Sequence, residues 1–507
     1  QVAFGKQSAW FEAFRSTPLG RVIFEAPELK QLEKVQKDLK LHFDLDWSTV
    51  RDEFLGDAVL FAYTPGGDPA DEDERGLILL HTRAPDKLAR FLDQLNEIQK
   101  NAGELKSLTA REHRGVKYHR RDLGKQSQYY FQAGGLFAFA VKEESLKAVL
   151  DKHADPKRSG VWTERFRQAE ANKAFLTLCV NPRMLDREFR DKHKATDGFL
   201  AYWNALDAVF VCLHVGEAVE LRVRIQARMN DLPVWAKRSF GANPPSSELW
   251  NRFPSNALLS VASRIDFSAT FESLGELLPA KDRQQMRATL QQGVAALAML
   301  DFAKDVLPNL GPDFGFAVLP GKQSDPLPQA FLALAMKSGE KNIDKAAFET
   351  LQLLGNLALL EHNKTSADPV RFLAMKQDKI DVRYFDGPKF FPPGIQPAFA
   401  LKDGYLVLAT SPSAIAQFRV HEKMLGSDES PLLRVSMFEL SQFLKQRKEV
   451  VVAKLVEKQN LTDQEARQHL DRVLALLDML DHLVLSQRNQ PGQAVWSLRL
   501  LPRISSK

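Results

Sequence analysis

The chain has 507 residues, 44% of them apolar and 26% charged, an ordinary globular balance but too long for a single hydrophobic core. Its 69 Lys and Arg against 64 Asp and Glu leave a net charge of +5. The two signs alternate along most of the chain, which argues against nucleic acid as a partner. No run reaches the roughly 18 apolar residues of a membrane span; Val294–Ala303 is short and is broken by Asp301.

The chain starts at Gln1 without an initiator Met, so a processed or excised chain is expected. Val2–Gly5 is expected in or beside a strand, followed by the motif KQSAWFEAF and a helix over Pro27–Leu41. The stretch LDWSTVRDEFLGDAVLFAYTPG, Leu45–Gly66, then sets the architecture, because it recurs without a gap as LDFAKDVLPNLGPDFGFAVLPG, Leu300–Gly321. Eight of the 22 aligned positions are identical, among them Leu55/Leu310, Gly56/Gly311, Phe61/Phe316 and Pro65/Pro320. Both copies read as an Asp-capped helical turn, a Leu-Gly stop, a half-buried strand and a Pro-Gly exit turn.

Further along, GLILLHT reads as a strand and Asp86–Asn101 as a helix, with Leu88, Phe91, Leu92, Leu95 and Ile98 on one face. The second half answers with AFLALAMKS and a helix near Lys345–Leu360. A hairpin follows in each half, Leu108–Arg121 around Arg114-Gly115 and Arg371–Phe385 around Gln377-Asp378-Lys379. Each half then has a strand and helix: Gly135–Val141 with Glu143–His153, and Gly404–Thr410 with Ser413–His421. The last third of each half echoes as strand, turn, strand, and Thr462-x-x-Glu465 opens a long helix as a capping box.

A linker of about residues 231–256, rich in Pro and Ser, separates a first repeat (1–240) from a second (241–507), with Trp235 and Trp250 expected to anchor on two cores. Strands dominate, many in hairpins, with helices in blocks between them. The expected fold is therefore α+β: two tandem copies of an antiparallel or mixed sheet unit with helices on one face.

Through LGDAVLFAYTPG, GYLVLATSPSAI and FPSNALLSVASRIDFSATFESL the chain resembles a family of exported bacterial proteins catalogued as a domain of unknown function. The resemblance covers almost the whole chain. It implies an N-terminal signal or anchor that this chain has lost, an extracytoplasmic location in the periplasm or cell envelope, and no catalytic residues to carry over.

Catalytic templates find no match: no G-x-S-x-G elbow, no Walker loop, no G-x-G-x-x-G after a strand. GKQS, at Gly5, Gly124 and Gly321, reads as a polar turn. No metal or cofactor is expected. His113 and His119 tempt as ligands, but a two-residue turn at Arg114-Gly115 pairs His113 with Val116 and Ala110 with His119, placing the imidazoles on opposite faces. The acidic run Asp68, Asp71, Glu72, Asp73, Glu74 reads as a solvated tip or a Ca²⁺ loop. Cys179 and Cys212 sit in apolar strands, as buried thiols or a cross-strand disulfide.

Two candidate sites remain. Arg111, Arg114, Lys117, Arg120 and Arg121 crowd one hairpin, a patch for an anion or acidic partner or else a charged edge that resists strand addition. Phe390, Phe391, Pro392 and Pro393 form a stiff apolar loop where the first half has only Leu123–Gln128, suited to a partner or to internal burial. The chemistry points away from an enzyme, toward a non-catalytic exported binding or structural protein of the envelope, with an unidentified protein or envelope component as partner. The rival readings are a carrier of an apolar small ligand, prompted by 33 Phe, and a hydrolase with a dispersed site.

Overall fold

The computed structural model describes residues 30–55, 58–64, 75–155, 160–186, 197–243, 245–298, 307–337, 343–421 and 429–503. The expected strand at Val2–Gly5 and the acidic run 68–74 lie outside these residues, as does Gly56. The chain divides into two compact units, residues up to Asp186 together with Ala208–Arg222, and residues 187–207 together with Val223 onward.

The first unit holds a six-stranded sheet of β1 (Ala58–Thr64), β2 (Arg75–His81), β3 (Ser107–His113), β4 (Val116–Asp122), β5 (Ser127–Ala133) and β6 (Leu136–Ala140). Their order is β1-β2-β6-β5-β4-β3, antiparallel at every pairing. The same unit carries the antiparallel pair β7 (Leu176–Val180) and β8 (Leu206–Val215, from Ala208 on), and β9 (Val219–Ala227) passes from it into the second unit.

The second unit continues with β10 (Leu259–Arg264), β11 (Leu310–Leu319), β12 (Gln329–Met336), β13 (Arg371–Gln377), β14 (Ile380–Asp386), β15 (Ala398–Lys402) and β16 (Tyr405–Ala409), then β17 (Ser430–Ser436), β18 (Leu480–Gln490) and β19 (Gln493–Pro502). Their order is β13-β14-β15-β16-β12-β11-β10-β17-β18-β19, and the pairings are again antiparallel. Reversed, its first six strands read β11-β12-β16-β15-β14-β13, the order of the first unit moved ten strands along. Hairpin turns match too: β5–β6 turns at Gly134-Gly135 and β15–β16 at Asp403-Gly404. Gly404 takes φ +81°, and a side chain at Gly135 would meet the Thr82 carbonyl at 2.9 Å, so each place favours glycine for its own reason.

The α+β class holds, but the six-stranded sheet is covered on both faces where helices on one face were expected. Leu146 and Leu150 of helix Glu143–Ala154 pack with Leu77, Leu79, Phe131, Ala138 and Ala140. Leu88, Phe91 and Leu92 of helix Pro85–Asn101 pack with Leu80, Tyr130 and Phe137 on the other side. The reason is in the strands: GLILLH and LFAFA are apolar at consecutive positions, so both faces must leave water. Each buried Leu or Phe there contributes about 1.5–3 kcal/mol. The second unit repeats the arrangement. Ile415 of helix Pro412–Gln417 joins Ala317, Phe331, Val382 and Val407 on one face, and Ala347 and Leu351 of helix Ile343–Thr365 join Leu334, Met336 and Leu406 on the other.

Several local details differ from expectation. Leu310-Gly311 follows the 3-10 turn Leu307–Asn309 and already opens β11, where the register slips between Leu310 and Phe314. Helix Pro412–Gln417 ends four residues before His421, and Ile98 faces outward at the last turn of its helix. Trp235 and Trp250 do anchor on separate clusters, both within the second unit: Trp235 beside Leu232, Ala236 and Phe240, Trp250 beside Leu249 and Phe253. The capping box Thr462/Glu465 is complete in both directions.

Candidate binding surfaces

The basic hairpin is built as its sequence requires. Arg114 and Gly115 both take positive φ, 52° and 78°, and the two-residue turn fixes His113 opposite Val116 and Ala110 opposite His119. Alternation then sends the five cations to different places. Arg111 points to helix Glu143–Ala154 and bonds both oxygens of Glu143, at 3.0 and 2.9 Å. Tyr118 donates to the same carboxylate at 2.5 Å and Lys147 pairs with it at 3.1 Å. Burial works against the Glu143 charge, yet the hydrogen bonds of Tyr118, Lys147 and Arg111 hold its pKa down to about 2. Arg114 and His113 share Asp151, at 2.7 and 2.8 Å. Arg120 donates to Ser127 at 3.1 Å.

Arg121 lies on the opposite face and is buried. Its Nε donates to Asn96 at 2.9 Å, one terminal nitrogen to Gln128 at 2.7 Å and the other to Gln99. Asn96 in turn donates to the Tyr130 hydroxyl at 3.1 Å, and His119 stacks on the Tyr130 ring at 4.9 Å, its pKa pushed down by burial. Of the five, Lys117 alone is an exposed cation with no described anion bonded to it, and it sits opposite Glu112. The structure therefore brings the five together in sequence only. Four are engaged in internal contacts, and His113 and His119 face opposite sides.

The cysteines lie on β7 and β8 but not opposite each other: Thr177 faces Cys212 and Cys179 faces Phe210. Both are free thiols, and burial pushes the Cys179 thiol up to about 11. Gly124 and Gly321 of the GKQS segments take positive φ in turns, 85° and 71°.

The loop Gly387–Pro397 is held rigidly. Phe390 and Phe391 both donate backbone N–H to the Gly387 carbonyl, Ile395 to Pro392, and Gln396 to Thr410. Gln329 reaches across to the Gly394 carbonyl at 2.7 Å. On this frame Pro392 and Pro393 are exposed, Phe391 is half-buried and Phe390 is 54% exposed. The Phe390 ring stands edge-on to His362 at 4.5 Å and to Phe391 at 4.9 Å.

Sequence reading missed a larger feature on the same helix. His362 belongs to Ile343–Thr365, whose Leu353, Leu357 and Leu360 are 53%, 53% and 61% exposed. Spacings of four and three put them on one stripe, opposite the Leu351 side that meets the sheet. The signal was available: QLLGNLALL is apolar all round the helix, whereas DKLARFLDQLNE is apolar on one side.

In the same unit a cleft of about 930 Å³ opens beside helix Phe267–Leu277, walled by that helix, the start of β11 and the segment around Arg238–Asn243. Among the described residues no group of three or more metal-ligating side chains converges, and no helix is long and apolar enough to cross a membrane.

These elements define an α+β protein with an all-antiparallel frame and closed internal ion networks. The chain belongs to the DUF3352 family, described as a protein of unknown function, whose model matches residues 28–359. That match takes in the whole first sheet and ends inside helix Ile343–Thr365, after Leu357 and before Leu360 and Phe390. No curated protein matches the chain.

Proposed function

We propose that this is a non-catalytic binding protein of the bacterial cell envelope, built by tandem duplication of one α+β unit, and that it engages a protein or envelope component through its second unit. The shared strand order and the aligned repeat Leu45–Gly66/Leu300–Gly321 support duplication. The resemblance to exported proteins supports the location. One observation carries the binding role: helix Ile343–Thr365 turns Leu353, Leu357 and Leu360 to solvent, where helix Pro85–Asn101 turns charges outward. Apolar side chains gathered on one exposed stripe are uncommon unless something covers them.

Photo-crosslinking in cells tests this. A benzoylphenylalanine placed at Leu357 or Phe390 is expected to give a discrete adduct in the envelope fraction, and one placed at Asp93 on the first unit's helix is expected to give none. No adduct at either position, the same adduct from Asp93, or protein confined to the cytoplasmic fraction would each overturn the reading.

A further inference from the structure

The cleft beside helix Phe267–Leu277 has a polarity axis. Asp266, Thr270, Ser273 and Leu277 line it at steps of four, three and four residues, one stripe within a wall that also takes in Phe267, Ser268, Ala269 and Leu274. That stripe runs from acid and hydroxyls to leucine over about 16 Å. Leu274, Leu307 and Leu310 add apolar surface to the cleft, and Arg238, Arg264 and Lys337 line it too, Arg238 bonded to Asp266 and Lys337 to the Pro308 carbonyl.

The charges there are unevenly committed. Asp266 is fully used: one oxygen caps the N–H of Ala269 at 3.0 Å and the other takes Arg238 at 2.7 Å. Arg238 is thereby neutralised. Arg264 has its nearest described carboxylate, Asp313, at 3.9 Å, too long for a hydrogen bond, and Asp313 accepts instead from the N–H of Glu248 at 3.2 Å. The Lys337 ammonium donates to the Pro308 carbonyl at 2.8 Å and bonds no described carboxylate. Two cations that line the cleft therefore keep donors to spare, and leucines line it with them. Their complement is an anion with an apolar tail.

We propose that this cleft binds a single-chain amphiphile with a carboxylate head, the head held by Arg264 and Lys337 and the chain lying along Leu274, Leu277, Leu307 and Leu310. It shares no residue with the helix stripe and Phe390 loop above, and stands or falls apart from them.

Titration calorimetry and native mass spectrometry of the full chain with dodecanoate test it, using dodecanol as the uncharged control. One equivalent of dodecanoate should bind saturably, with dodecanol at least tenfold weaker. The double variant Arg264→Gln/Lys337→Gln should lose at least tenfold in dodecanoate affinity without moving the melting curve, and Lys337→Arg should retain it. Leu274→Glu, at a position already half-exposed, should abolish binding while the fold persists. Equal binding of dodecanol, full affinity in the double variant, unsaturable uptake, or no dodecanoate binding at all would each overturn the proposal. Should the double variant melt early, Leu274→Glu and the dodecanol comparison still decide.

Discussion

Helices Pro85–Asn101 and Ile343–Thr365 stand at the same point of the same strand order, each between the second and third strands of a six-strand array, yet they present opposite surfaces. The first shows Asp86, Lys87, Arg90, Asp93 and Glu97 to solvent; the second shows Leu353, Leu357 and Leu360. They differ underneath as well. The first meets its sheet through a polar brace, Arg121 to Asn96 at 2.9 Å. The register that places Arg121 places Phe385 in the second unit, and there the helix offers Gly355, where an added Cβ would sit 2.9 Å from the Phe385 ring. One frame has thus been fitted out twice, once with buried polar contacts and a charged exterior, once with aromatic contact and an apolar exterior. A helix apolar all round belongs in an interior. The frame is common property, and function should be sought where the copies depart from each other.

The sharpest test of the shared frame concerns the tightest backbone approach among its described glycines. Aligned by the repeat, β1 has Leu60 where β11 has Gly315, and a side chain at Gly315 would lie 2.4 Å from the Val261 carbonyl of β10. Gly315→Ala should therefore cost about 3 kcal/mol by forcing β10 and β11 apart, measured by denaturant unfolding. Leu60→Ala, at a half-buried position, should cost about 1 kcal/mol, chiefly the lost burial of its side chain. A neutral Gly315→Ala would mean that β10 does not press on β11.

The polar brace comes next. Arg121→Met keeps the length of the side chain but leaves Asn96 and Gln128 without their donor inside the sheet–helix interface, an expected loss of about 2 kcal/mol. Tyr130 fluorescence and the midpoint of unfolding would report it. A variant as stable as the parent would show that the brace only fills space, and the contrast with Phe385 and Gly355 would lose its meaning.

Glu143 gives the comparison a pH signature. Its carboxyl titrates at about 2 in the folded chain against an ordinary 4.5, so the stability it contributes is present above about pH 4.5 and is lost as pH falls toward 2. Glu143→Gln should be less stable at neutral pH by roughly 1–2 kcal/mol. Stability curves of the two proteins should converge between pH 4.5 and 2. Parallel curves across that window would remove Glu143 from the network.

Much of the frame was legible because strand patterns are local. The hairpin at Arg114-Gly115, the capping box at Thr462 and the paired glycines Gly135 and Gly404 depend on neighbours in sequence, and period-2 register follows directly from the turn. The site was less legible because it depends on what lies across a face. Arg111 and Arg121 look alike in sequence. Only the register, with one helix packed above the sheet and another below, shows Arg111 closing on Glu143 and Arg121 buried against Asn96. The Phe390 loop could be picked out by composition, since stiff apolar loops are conspicuous. The leucine stripe went unremarked in a helix read only as an element near Lys345–Leu360, and the cleft joins segments from Trp235 to Asn489 that no spacing rule connects.

The smallest expected effect on stability falls on that stripe, and it is the informative one. Leu353, Leu357 and Leu360 are each more than half exposed, so replacing them with Gln, Lys and Gln removes little burial. All of these residues are good helix formers, with propensities within a few tenths of a kcal/mol. The triple variant should therefore match the parent in unfolding free energy to within about 0.5 kcal/mol, while gaining solubility and losing the crosslinked adduct from Phe390. Carrying the stripe to the first unit, with Asp93→Leu and Glu97→Leu, tests the converse, because that helix has the same place in the frame but no neighbouring Phe-Phe-Pro-Pro loop. If the stripe alone is the determinant, the altered first unit should acquire an adduct at its own helix; if the loop is needed, it should not. A large loss of stability in the triple variant would instead place the leucines in an interior contact, and the difference between the two helices would be one of packing, not of recognition.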